Sequence, residues 1–318
     1  MARDLLEIVL EALDGDDPNV VRAACIMSGM LRSEKAERGL LKALGHRVWQ
    51  VQAEAARSLG LCGSKGALPF LKRILKASDS DLRQKLLTAA AGPKKDAEPE
   101  KDEAHPEVKK AAALAMSRLS PALAEDALLA ALASEQPGLL EAAMAGLATL
   151  QSETGAERIV QLLFHDNSKI RAMAATSLGR LRATAAVPQL LDVLNDADSA
   201  VRKEAVIALN HIKAKEAIEP LSMMMNDGDS EVRRVTAIAL GNTRRRDPMV
   251  VTPLVKGLND RSPDVRRAAL SALANIRAAT ALENAAELLS DKHDEVKRQA
   301  AVTVSVLAMA RERPDYDD

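Results

Sequence analysis

Apolar and polar positions along this chain keep a helical spacing, and they do so in blocks that come in pairs. In residues 185–196, Val187, Leu190, Leu191 and Leu194 fall at i, i+3, i+4 and i+7, the single apolar face of a helix. The polar stretch that follows reads as a turn, with Asp198 three residues before Val201 as its N-cap. A second helix then buries Val201, Ala205, Ala208, Leu209 and Ile212. Gly60, Gly179 and Gly241 stand near the ends of the equivalent helices and read as C-terminal stops. Strand-type alternation is found nowhere, so the fold class is all-α.

The pair repeats. "NDADSAVRKEAVIALNHI" at Asn195 returns as "NDGDSEVRRVTAIALGNT" at Asn226 and "NDRSPDVRRAALSALANI" at Asn259. With the valine of the "VR" pair as a ruler, Ile170, Val201, Val232, Val265 and Val296 are separated by 31, 31, 33 and 31 residues. Val21, Val51, Val108 and Leu140 extend the series to the front, where only the 57-residue step from Val51 to Val108 breaks the period. One helix pair of this size cannot bury its own apolar face, so neighbours must stack into one continuous core. The whole of 1–318 reads as a single stack, interrupted in its third repeat by a flexible charged insertion, 92–107, and closed by a disordered tail, 312–318.

Charge repeats on the same ruler. Asp196, Asp227, Asp260 and Asp291 stand five residues before it, and Arg202, Arg233, Arg266 and Lys297 one after; Asp16 and Arg22 show the same spacing at the front. Acid and base recurring on one edge form a structural ladder, because partly buried charges need partners. The pattern L-x-D-x-D-x-x-V-R-x-x-A-A-x-A-L-G resembles the HEAT repeat in the short form found in phycobilisome lyases. The resemblance is clearest from Asn167 onward and weaker before Leu140, where Gln52 and Glu141 replace the base. It implies a right-handed α-α superhelix, a solenoid of about nine HEAT-like helix pairs. By the same resemblance the chain is a scaffold or adaptor; fold alone does not transfer an activity.

Composition narrows the function. There are 44 Lys and Arg against 45 Asp and Glu, a formal net charge of −1, which fits an ordinary soluble protein. No apolar run reaches a membrane span and no secretion signal is visible. Cys25 and Cys62 lie in separate repeats without metal-ligand spacing, which fits a reducing cytoplasm. The five histidines are scattered and none is followed by glutamate, so the His-Glu iron ligands of deoxyhypusine hydroxylase, a relative in this fold, have no counterpart. Phosphate-binding loops, dinucleotide turns, zinc motifs and nucleophile elbows are also missing. No cofactor, metal or catalytic residue is expected. The one enzymatic alternative is a phycobilisome-lyase-like role in bilin attachment, implied by the shared repeat.

Three features stand out from the repeat. Lys203, Arg234, Arg267 and Arg298, two residues past the ruler, form a basic stripe on the second helices, the side that lines the concave face. Arg180, His211, Asn242 and Asn275 form a polar column ten past it. Residues 230–277 carry ten bases against four acids. These eight residues are the candidate partner-binding site, for an acidic protein in the first place and for sequence-independent nucleic acid in the second. The insertion is a candidate docking loop. The third feature is 299–310, twelve residues without a charge at the end of the stack, which points to homodimerisation through the C-terminal helix.

Overall fold

The computed structural model describes residues 4–76, 105–134 and 136–312. Within them are eighteen α-helices and no strand. Two compact units divide the chain, 1–159 and 160–318. The first unit holds α1 (Leu5–Leu13), α2 (Pro18–Leu31), α3 (Glu37–Leu44), α4 (Trp49–Cys62), α5 (Leu68–Lys76), α6 (Pro106–Leu119), α7 (Pro121–Ala131) and α8 (Pro137–Leu150). α9 (Glu153–Gln161) spans the division, and the second unit continues with α10 (Ser168–Leu181), α11 (Val187–Val193), α12 (Ser199–Ile212), α13 (Ile218–Met224) and α14 (Ser230–Asn242). It ends with α15 (Pro248–Gly257), α16 (Pro263–Asn275), α17 (Leu282–Glu287) and α18 (Asp294–Glu312).

Even-numbered helices are the second, inner members of the pairs. In the first unit α2, α4, α6 and α8 pack each on the next; in the second, α10, α12, α14, α16 and α18 do the same. Alanine dominates this layer because it lets helix backbones approach closely: Ala55, Ala112, Ala174, Ala208 and Ala272 are all buried. The odd helices are shorter, several entered through a 3-10 turn, and lie against the inner ones. Asp198 caps α12 as expected, accepting a hydrogen bond from the Ala200 N–H at 2.9 Å. Met225 is buried while Met223 faces solvent, which matches their places on α13 and in the turn after it.

The caps correct the ruler at two places. Asp17 caps α2 and Gln136 is the cap residue of α8, so the equivalents of Val201 are Val20 and Leu139 rather than Val21 and Leu140. Val20–Val51, Val108–Leu139 and Leu139–Ile170 are then each 31 residues apart. Adjacent apolar residues hid this shift, and it moves Arg22 and Glu141 off the ladder position, which Val21 and Leu140 occupy instead. The three glycines also have a different role. Gly60, Gly179 and Gly241 lie inside α4, α10 and α14, where a β-carbon would sit 2.8, 2.7 and 2.8 Å from the Cα of Ala115, Ala208 and Ala272 on the next inner helix. They are contact points between helices. Among the described residues the left-handed ends are supplied by Gly63 and by six residues with side chains, Arg32, Gln151, Arg182, Lys213, Arg244 and Arg277.

Of the expected insertion 92–107, residues 92–104 lie outside the described residues, as do residues 313–318 of the tail. The last three insertion residues are ordered at the start of α6. His105 caps it, accepting from the Glu107 N–H at 3.3 Å, and stacks on Trp49 with ring centroids 3.9 Å apart.

Candidate functional site

The ladder has to be described first, because it decides which charges remain for a partner. It is a feature of the second unit, and its rungs run between repeats. Arg171 bonds Asp196 through Nε and Nη2 at 2.6 and 2.8 Å. Arg202 does so to Asp227 (2.8 and 2.8 Å), Arg233 to Asp260 (2.6 and 2.8 Å) and Arg266 to Asp291 (2.7 and 2.8 Å). The third guanidinium nitrogen turns back to its own repeat: Nη1 of Arg202, Arg233 and Arg266 donates to the carbonyl of Asp196, Asp227 and Asp260, each at 2.8 Å. Each aspartate also accepts the N–H two residues on, at 2.8–2.9 Å. Arginine suits this role because its planar fork matches a carboxylate with two bonds and leaves a donor over. Lys297, expected as a ladder base, instead pairs with Asp294 of its own helix at 2.7 Å. Among the described residues the first unit has no such series. Gln52 bonds the His46 carbonyl there, and Lys109, buried, donates to Gln136 at 2.9 Å.

These rungs hold the carboxyls low. Arg171 and Arg266 are the main cause for Asp196 and Asp291. Burial is the largest influence on Asp227 and Asp260 and acts upward, but the hydrogen bonds and charges of Arg202 and Arg233 with the backbone N–H outweigh it. A carboxyl lowered by folding contributes stability above its unfolded value of about 3.9 and loses it as pH falls through the folded value. Unfolding free energy is therefore expected to hold from neutral pH down to about pH 5 and to drop below about pH 4. Urea denaturation across that range checks it, and an unchanged midpoint at the acid end would refute it.

The predicted stripe is less free than its sequence suggests. Arg234 binds Glu231 at 2.8 Å, Arg267 binds both Asp264 and Glu295 at 3.0 Å, and Lys203 lies 3.6 Å from Glu204. Arg298 is exposed on α18 and acts on Asp294 through space. Of the polar column, Arg180, His211, Asn242 and Asn275 are all exposed near the C-terminal ends of α10, α12, α14 and α16. Asn242 donates to Asn210 at 3.1 Å. The structure thus places the column along one edge and the stripe, partly neutralised, nearer the other. Sequence reasoning missed the left-handed cations Arg182, Lys213, Arg244 and Arg277, which lie two residues beyond the column. On α18, Val302 and Met309 are 57% and 68% exposed.

Among the described residues no helix is long and apolar enough to cross a membrane, and no cluster of three or more His, Cys, Asp or Glu is placed to hold a metal. With helix pairs, inner-layer glycine contacts and a repeating aspartate–arginine turn established, comparison with known proteins adds the family. A family model described as HEAT repeats matches residues 6–91, 156–241 and 221–305, more than half of the chain. The chain belongs to the HEAT-repeat family. HEAT solenoids are typical protein-interaction scaffolds, with long surfaces built from equivalent positions. The structure of YibA of Escherichia coli overlays with a TM-score of 0.60 at 16% identity, covering 93% of this HEAT chain and 98% of YibA. Kap95p, solved with RanGDP, overlays with a TM-score of 0.59 at 14% identity over 95% of this chain and 45% of Kap95p. The complex of CpcE and CpcF of the Nostoc phycocyanin lyase is similar over 76% of this chain and 94% of that one, at 21% identity and a TM-score of 0.44. The first two likenesses show the fold; the third is too loose to argue for an activity. No curated protein matches in sequence.

Proposed function

We propose that this HEAT-repeat chain is a non-catalytic interaction scaffold that binds an acidic protein on the inner-helix surface of its second unit. The observation that carries the reading is a division of labour between neighbouring cations. Arg202, Arg233 and Arg266 are used up in rungs, while one residue later Lys203 and Arg234 are half-buried and Arg267 is exposed, as is Arg298 on the next inner helix. The acid partners of Arg234 and Arg267 are surface groups held at i−3 or from the next helix, and exposed pairs of this kind contribute about 0.2–1 kcal/mol each. A carboxylate-rich partner can therefore exchange with Glu231, Asp264 and Glu295 at low cost. The polar column extends the same surface. We place the protein in a reducing compartment, the cytoplasm: Cys25 and Cys62 are buried free thiols, and burial, with Glu54 nearby, pushes Cys25 up to about 12.

The test is a nuclease-treated pull-down from native lysate read by mass spectrometry. It compares the wild type with Lys203→Glu, Arg234→Glu, Arg267→Glu and Arg298→Glu combined, after confirming equal helicity. The variant is expected to lose a discrete set of acidic proteins; identical lists would sink the assignment.

A further inference from the structure

One recess in the second unit departs from the repeat that builds it. It lies between the turn after α13 and the turn after α15, has a volume of about 480 Å³, and is lined by charged and amide side chains from both turns. That volume falls in the range of small-ligand sites. Two of its cations, Lys256 and Arg261, flank the turn aspartate Asp260, four residues before it and one after. In the other ladder repeats those places hold Asp192 and Ala197, Met223 and Gly228, and Glu287 and Lys292. Of the four, only the repeat of α15 and α16 sets a cation at both.

The acids of the recess are already occupied. They are Asp227 and Asp260, whose side chains are 7% and 11% exposed. Asp227 accepts both bonds of the Arg202 fork at 2.8 Å and the Asp229 N–H at 2.8 Å. Asp260 accepts the Arg233 fork at 2.6 and 2.8 Å and the Ser262 N–H at 2.8 Å. Each rung is neutral as a pair, so Lys256 and Arg261 stand over it as two positive charges. Both side chains are exposed, and among the described residues neither makes a hydrogen bond or an ion pair. The next acid along the turn, Asp229, caps α14 through the Glu231 and Val232 N–H groups at 2.8 and 3.2 Å. Asn259 adds an exposed amide, and Asn226 another, whose side chain makes a 3.4 Å contact with the Met223 carbonyl. The equivalent recess between the turns before α10 and α12 is lined by Asp166, Asp192 and Asp196, with Arg171 as its one arginine or lysine. The ladder turn does not make a basic recess by itself; Lys256 and Arg261 do.

We propose that this recess binds a phosphate monoester, the dianionic group of a phosphorylated side chain or of a phosphorylated small molecule. Such a group carries a charge of about −1.5 to −2 at neutral pH and three strong acceptor oxygens. Two cations and two amide donors match it better than they match a single carboxylate. Arginine offers a planar fork and lysine a point charge, the two ways in which proteins hold phosphate. The recess shares no residue with the inner-helix stripe, so the proposal does not rest on the scaffold reading.

The experiment is isothermal titration calorimetry of the full chain at low salt. The ligands are a phosphoserine peptide flanked by glycines, the same peptide with serine, glycerol phosphate and malonate. The wild type is expected to bind the phosphoserine peptide or glycerol phosphate saturably and to ignore the serine peptide. Lys256→Met and Arg261→Ala give each place a residue that a sister repeat holds there. Each is expected to melt with the wild type and to weaken phosphate binding by about tenfold, one hydrogen bond to a charged group. Should either melt lower, Lys256→Gln or Arg261→Gln carries the same test. Tighter binding of the phosphopeptide identifies a phosphorylated partner as the source, and equal or tighter binding of glycerol phosphate a small molecule; both uphold the site. No saturable binding of either phosphate ligand, an affinity unchanged in both variants, or malonate bound as tightly as phosphate overturns the proposal. So does phosphate binding lost in the fourfold stripe variant and kept in Lys256→Met and Arg261→Ala. The pull-down result for the stripe is separate, and either assignment can fail without the other.

Discussion

Asp260→Ala is expected to lower the unfolding free energy by about 3–5 kcal/mol, the cost of breaking a buried ion pair from one side. Asp260 takes two hydrogen bonds from Arg233, at 2.6 and 2.8 Å, and one from the Ser262 N–H at 2.8 Å. Arg233 and Asp260 retain only 14% and 11% of their side-chain exposure, so water cannot replace the lost carboxylate. The truncation leaves a guanidinium held only by the carbonyls of Asp227 and Gly228. It also loosens the turn whose own carbonyl at residue 260 receives Arg266, so the damage reaches the next rung. Asp264→Ala is the matched control. Asp264 is 53% exposed and pairs with Arg267 at the surface, so its loss should cost under about 1 kcal/mol. Urea denaturation of the two variants separates them, and equal losses would contradict the ladder's structural role.

The second large effect is expected from Gly241→Val, at about 2–3 kcal/mol. A β-carbon on Gly241 meets the Cα and Cβ of Ala272 at 2.8 Å each, and the obstacle is the backbone of α16 rather than a side chain that could swing away. Replacing a helical glycine normally gains up to about 1 kcal/mol of helix propensity, so a net loss would show that the packing contact outweighs it. Gly228, in the turn before α14, has no neighbour within 4 Å of such a carbon, and Gly228→Ala should be near neutral. Thermal denaturation is the check; a Gly241→Val melting point at or above that of the wild type would mean the helices can part freely.

Much of the fold is legible in the sequence because the repeat states it several times over. Val187, Leu190 and Leu194 are buried on α11 and at its C-cap, and Val201, Ala205, Ala208 and Leu209 on α12, as their spacing requires. The aspartates and arginines of the ladder are also visible as columns. Their connectivity is not, because Asp196 and Arg202 stand six residues apart in one repeat and look like partners, whereas Arg202 uses the Asp196 carbonyl and sends its fork on to Asp227. A glycine two residues before a helix end looks like a stop, and only the neighbouring backbone reveals Gly179 as a contact. The stripe shows the opposite error. Glu231 and Asp264 sit three residues before Arg234 and Arg267, the spacing at which helical charges meet, and that signal was available. Arg182, Lys213, Arg244 and Arg277 are legible as a column twelve residues past the ruler, but their left-handed conformation is not, since glycine is what a left-handed end leads one to look for.

The claim on which the functional reading depends is that adjacent cations do different work, and Arg233 and Arg234 are neighbours on α14 that embody it. The measurement is urea denaturation of Arg233→Gln beside Arg234→Gln. The expected result is a loss of several kcal/mol, about 3–5, for the first, which strands Asp260, and under about 1 kcal/mol for the second, whose partner Glu231 returns to water. Equal losses would mean that the surface cation is as structural as the rung, and the inner-helix surface would then have no charge to spare for a partner.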